Sequence, residues 1–143
     1  MLARLRTPLR WIVGWSERDP LGARGETAAA RFLRRRRFRV LARNVRVHMG
    51  EADLLCLAPD GRTIVVVEVK TRRTAAPGER PFASPEASIT AHKRQKLTAV
   101  SRHLARANHW NDRPVRVDVV GVEWPPRGKP TLRHHEGVIV VRR

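Results

Sequence analysis

The stretch ADLLCLAPDGRTIVVVEVK, residues 52–70, decides the fold. Two apolar runs flank Pro59, Asp60 and Gly61, residue types that favour tight turns, so the stretch predicts a β-hairpin. Centring the turn on Asp60 and Gly61 sets Pro59 opposite Arg62. The same register carries Asp53 opposite Glu68 and Glu51 opposite Lys70. Opposed residues of an antiparallel pair share a face, with Cβ atoms ~4.5–5.5 Å apart, and like charges there destabilise unless a cation lies between them. Burying Glu68 and Lys70 in a valine run is costly unless they are paired or metal-bound. A wet sheet face, with Lys70 and Arg72 answering Glu51 and Glu68, is the competing reading. Against it, Ile64 and Val66 are apolar on the charged side and Val65, Val67 and Val69 occupy the other, so both faces look covered.

Upstream, RVLARNVRV alternates and reads as a strand that turns at HMG, where Gly50 can take a positive φ. With the hairpin it makes an antiparallel meander. Before it, GARGETAAARFLRRRRF is an amphipathic helix over roughly residues 21–36, with Ala29, Ala30 and Leu33 inward. Glu26 lies in its first turn on the inward face, where it serves either the helix dipole or the sheet. Downstream, residues 73–85 have no period and read as a loop, followed by a second helix over residues 90–108 capped by Thr90. Lys93, Arg94, Lys96, Arg102 and Arg106 decorate that helix, as a solvated face or as a phosphate-binding one. VRVDVVGV reads as a further strand, and TLRHHEGVIVVRR as edge strands. The expectation is an α/β fold: a mixed sheet, antiparallel meander plus a further strand, flanked by α-helices. Residues 21–143 form one domain in this reading, and residues 1–20 are a basic tail carrying Trp11 and Trp15.

The 30 Lys and Arg against 13 Asp and Glu give a net charge of +17, which favours polyanionic partners such as nucleic acid. Acids are therefore scarce, and Glu51, Asp53 and Glu68 cluster around one hairpin. Cys56 is the single cysteine, so no intramolecular disulfide forms, and its place on an apolar strand predicts a buried structural thiol. No apolar run approaches the ~20 residues that span a bilayer, and WIVGW is shorter than the ~7 residues of a signal-peptide core. The expected protein is cytoplasmic and does not enter membranes.

Two opposed carboxylates suit one divalent ion, and oxygen ligands without a histidine or cysteine set select Mg²⁺ or Mn²⁺. His134 and His135 are neighbours and face opposite ways on a strand, which argues against a ligand pair. Asp, Glu and Lys around a hard metal suit phosphodiester hydrolysis: the metal activates water, Lys70 orients it or neutralises developing charge, and basic helices hold the backbone.

Asp53 followed by Glu68-Val69-Lys70 has the D…ExK form of restriction-endonuclease-like nucleases. The strings GARGETAAARFL, RNVR, GEADL, VVEVKTR and RVDVVGV, in that order, resemble the YraN family, related in fold to archaeal Holliday-junction resolvases. The resemblance implies a restriction-endonuclease-like mixed sheet, with Asp53, Glu68 and Glu26 as ligands of Mg²⁺ (or Mn²⁺) and as catalytic residues together with Lys70. Arg72, Lys93, Arg94 and Lys96 are the expected nucleic-acid contacts, and Gln95 lies near a supporting polar position. Glu51 matches a signature position without a role. Ala52 stands where the family usually has a larger aliphatic residue, a difference that concerns packing. The implied activity is Mg²⁺-dependent, structure-selective cleavage of DNA, with branched or recombining DNA as substrate. A non-catalytic nucleic-acid-binding protein of the same fold is the alternative. DNA is expected over RNA, and a homodimer follows by analogy with resolvases.

Overall fold

The computed structural model describes residues 20–74 and 89–142, and the backbone of residues 12–13. Trp11, Trp15 and all but the first residues of the 73–85 loop lie outside the described residues. Six strands form one sheet in chain order: β1 (Ile12–Val13), β2 (Arg39–Val47), β3 (Gly50–Leu57), β4 (Ile64–Arg73), β5 (Val115–Trp124) and β6 (Thr131–Val141). Neighbours are antiparallel except β4 and β5, which are parallel. A parallel pair needs a crossover, and it contains helix α2 (Ala91–Ala107), whereas α1 (Pro20–Arg35) precedes β2. The mixed sheet with flanking helices is the α/β architecture expected, compatible with a restriction-endonuclease-like fold.

The sheet separates two apolar layers. Leu97, Val100 and Leu104 of α2 pack with Leu55, Leu57, Ile64, Val66, Val117 and Val119. Ala29, Ala30 and Leu33 of α1 pack with Leu54, Cys56, Val65, Val67, Val120 and Val122 on the other face. Central strands covered on both sides explain why β4 begins as a continuous valine run. Burial pushes the Cys56 thiol up to about 12, with Asp118 adding to it, so this cysteine is an inert core residue as expected.

Both helices end the same way without glycine. Arg37 (φ 67°) and His109 (φ 57°) take the left-handed conformation. Phe38 N donates to Leu33 O at 3.0 Å and Trp110 N to Ala105 O at 2.9 Å, the long closing bond of a Schellman motif. Each bond carries a buried aromatic, Phe38 or Trp110, back under its helix. That burial offsets the cost of a non-glycine residue at positive φ.

The expected hairpin register is present: Leu54 pairs with Val67, Leu55 with Val66, Cys56 with Val65 and Leu57 with Ile64. The connection is longer than expected. Gly61 N donates to Ala58 O and Ala58 N to Thr63 O, each at 2.9 Å, so residues 59–62 form a four-residue loop. Asp60 Oδ1 ties it by accepting from the backbone N–H groups of Arg62 and Thr63, both at 2.8 Å. Two- and four-residue loops with a common midpoint oppose the same residues, so the register is preserved.

Candidate functional site

The β3–β4 ladder extends only to Leu54 and Val67. Just beyond, Asp53 Oδ2 accepts the Val69 N–H at 2.7 Å, so a side chain satisfies a β4 donor where the ladder stops. Glu68, 5% exposed, lies on the α2 side of the sheet. Its Oε1 meets Lys93 Nζ at 3.1 Å and Lys70 Nζ at 3.5 Å. Thr90 sets this up, because its hydroxyl accepts the Lys93 N–H at 3.1 Å and fixes the first turn of α2 over the strand end. Burial raises the Glu68 carboxyl above its ordinary range, the Asp53 charge raises it further, and Lys93 and Lys70 pull it back only in part.

Glu51 does not join them. Across from β3, Asn44 of β2 takes φ 52°, and the side-chain alternation of both strands reverses there. Arg43 reaches Thr27 of α1 at 3.0 Å, whereas Val45, two residues on, belongs to the α2 layer. Leu54 and Ala52 divide in the same way, and Ala52 is fully buried on the α2 side. Glu51 is consequently turned to Arg46, at 3.3 Å, instead of standing opposite Lys70.

The other expected residues are dispersed. Glu26 is 4% exposed, but α1 begins at Pro20, so it sits in the second turn and not the first, on the helix that covers the opposite face. There α1 lies close against β4: a Cβ on Gly25 would fall 1.8 Å from Thr71 Oγ1. Arg72 pairs with Glu123 at 3.3 Å. Arg94 turns to Val138 O at 3.5 Å. Lys96 lines a cleft of about 420 Å³ together with Lys93, Arg46 and His48. Lys93, expected on phosphate, pairs with Glu68 in the carboxylate cluster. Among the described residues no three His, Cys, Asp or Glu side chains converge on one point.

A pair is enough for a hard cation that keeps most of its water, as Mg²⁺ does when held by one or two carboxylates. Asp53 and Glu68 meet that requirement. Both supply oxygen, one is buried, and a divalent ion would relieve the Asp53 repulsion that adds to burial in raising Glu68.

A second buried carboxylate, unremarked in the sequence, is Asp118 on β5. Arg116 donates to it twice, at 2.9 and 3.2 Å, Gly137 N donates at 2.8 Å, and His134 Nε2 lies 2.8 Å away. A bulge in β6 around Gly137 (φ 64°) turns that N–H inward. Phe38 and Phe32 close over His134 edge-on. Burial would raise the Asp118 carboxyl, but the bonds from His134, Arg116 and Gly137 outweigh it and hold the group below the ordinary carboxylate range. The signal was in RVDV: an aspartate two residues from an arginine on an otherwise apolar strand.

Residues 25–122 match the profile of the uncharacterised protein family UPF0102. The chain belongs to this family. A UPF0102 protein of Symbiobacterium thermophilum is 44% identical over 114 residues, 79% of this chain and 90% of the relative. One from Streptomyces coelicolor is 40% identical over 124 residues, covering 85% and 89%. One from Pelobacter propionicus is 34% identical over 113 residues, covering 79% and 77%. The UPF0102 match spans α1 through most of β5 and so includes both buried carboxylates, Glu68 and Asp118.

Proposed function

We propose that this UPF0102 chain is a Mg²⁺- or Mn²⁺-dependent, structure-selective endonuclease that hydrolyses DNA phosphodiesters, with branched DNA as its substrate class. One observation carries the reading: Glu68, buried and driven toward its neutral form, beside Asp53 and in contact with two lysines. Asp53 and Glu68 would hold the cation, which when bound supplies Lewis acidity and an activated water. Lys70 has 37% of its side chain exposed, so its amine can both contact Glu68 and reach a phosphoryl oxygen. Lys96 and Arg46, in the adjoining cleft, would hold the flanking backbone by charge. Glu26, on the helix that covers the other face, is not used as a ligand in this proposal.

Four-way junction, flap and linear duplex DNA, each incubated with the protein and Mg²⁺, test the reading. Cleavage should occur, should stop with chelator, and should fall at least ~100-fold in Glu68→Gln and Lys70→Met, in line with the usual loss of one catalytic group. Equal cutting by wild type and Glu68→Gln would overturn it. The 3.1 Å contact of Lys93 with Glu68 favours a second reading, in which the lysines neutralise the acid permanently and the fold only binds nucleic acid. In that case binding weakens steeply with salt, chelator has no effect, and nothing is cut.

A further inference from the structure

The carboxylate pair lies at the amino end of α2. At its carboxyl end is a cavity of about 660 Å³ lined by five arginines, Arg62, Arg102, Arg106, Arg113 and Arg142, and by one acidic residue, Asp112. Trp110 and Val115, both buried, contribute to its apolar lining. Among the described residues, Arg62, Arg102, Arg106 and Arg142 form no ion pair. Backbone carbonyls aim two of them instead. Arg102 donates from Nε and Nη2 to Arg142 O at 3.3 and 3.1 Å, and Arg62 donates to Asp112 O at 3.1 Å. A carbonyl fixes the direction of a guanidinium without cancelling its charge. The helix dipole accounts for Arg102 and Arg106 near the end of α2, but not for Arg62, Arg113 and Arg142, which come from other segments.

Arginines that line one cavity without a carboxylate partner, two of them oriented by carbonyls, form a ready receptor for phosphate oxygens. We infer that this cavity is a second phosphate-binding site, occupied by the backbone of the same nucleic acid whose other segment lies at Asp53 and Glu68. The inference rests on the nucleic-acid reading above. Arg94, Arg102 and Arg106 form a basic ridge joining the two ends of the helix, and Arg102 and Arg106 are exposed. From Lys93 to Arg106 the helix rises about 20 Å at ~1.5 Å per residue. A strand with ~3.4 Å per nucleotide covers that span in about six steps. The fit is to a continuous nucleic-acid segment, which would be gripped well away from the bond being cut.

The test is binding of a labelled 24-base-pair duplex in chelator, across a salt series, by wild type, Arg102→Ala/Arg106→Ala and a control of equal charge change on α1, Arg34→Ala/Arg35→Ala. The α2 double variant should bind at least tenfold more weakly, and its log affinity against log salt should be shallower by about 2, at ~0.9 per phosphate contact. The control should change less than threefold, and Arg102→Lys/Arg106→Lys should recover most of the salt slope. An α2 variant that binds like wild type, or a control that loses as much, overturns this inference and leaves the proposed nuclease standing. A wild type that neither binds nor cuts nucleic acid overturns both.

Discussion

Two carboxylates sit one residue apart in register on the central parallel strands, where Val67 pairs with Asp118 and Glu68 with Val119. Both are buried, Asp118 at 0% and Glu68 at 5% exposure, yet their surroundings treat them oppositely. Asp118 has a bidentate arginine, an imidazole and a backbone N–H, and it is held ionised. Glu68 faces another acid, has two lysines that offset its burial only in part, and is pushed toward protonation. Multiple hydrogen bonds of this kind to one buried carboxylate stabilise the native arrangement. A buried acid whose charge its neighbours offset only in part is the kind of group that the proposed cation site would use. Under the proposed function, the contrast separates a structural acid from a functional one where burial alone does not.

Removing the Asp118 network should have the largest effect. Asp118→Ala leaves the buried His134 side chain without its partner and Arg116 with Glu136 alone, and should cost about 3 kcal/mol, the lower end for breaking a buried pair, read as a lower urea midpoint. Glu68→Gln should behave in the opposite sense and leave the midpoint unchanged or slightly higher. If both variants lose stability equally, the distinction between the two acids is wrong.

The pH dependence sharpens it further. Asp118 is depressed in the folded state, so its contribution is present above the unfolded value of about 3.9 and is lost as pH falls through the lower folded value. Glu68 is raised, so ionising it costs stability as pH climbs from the unfolded value of about 4.3 through the higher folded one. The stability of Glu68→Gln relative to wild type should therefore grow between pH 4 and pH 7. A constant difference over that range would mean that Glu68 is not strained. The smallest effect is expected at the rim, where Glu51→Ala removes a half-exposed pair with Arg46 and should cost less than about 1 kcal/mol.

Much of this was legible because the deciding interactions are local. The APDGR turn and the strand pattern determine the β3–β4 register, and α2 was bounded to within a residue by its Thr90 cap and apolar period. Asp53 beside Glu68 follows from that register. What stayed hidden depended on backbone departures that the residues do not announce. Asn44 at positive φ reverses the alternation and turns Glu51 away. The Asp118–His134 contact needs a bulge at Gly137 to set the register between β5 and β6. The two histidines were correctly read as facing opposite ways, but no periodicity tells which strand lies beside them. Lys93 reads from the sequence as a phosphate contact or part of a solvated face, and its pairing with Glu68 is set by tertiary packing that the helical period does not show.

The central claim is that Asp53 and Glu68 form a divalent-cation site, and thermal unfolding with Mn²⁺ or Mg²⁺ titrated into wild type, Asp53→Asn and Glu68→Gln tests it most directly. A cation that binds only the folded state at one hundred times its dissociation constant adds about 2.7 kcal/mol. Wild type should show a saturable rise in Tm that calcium-free chelator buffer reverses, and both variants should show none. Equal rises in all three proteins, or no rise in wild type, would contradict the account.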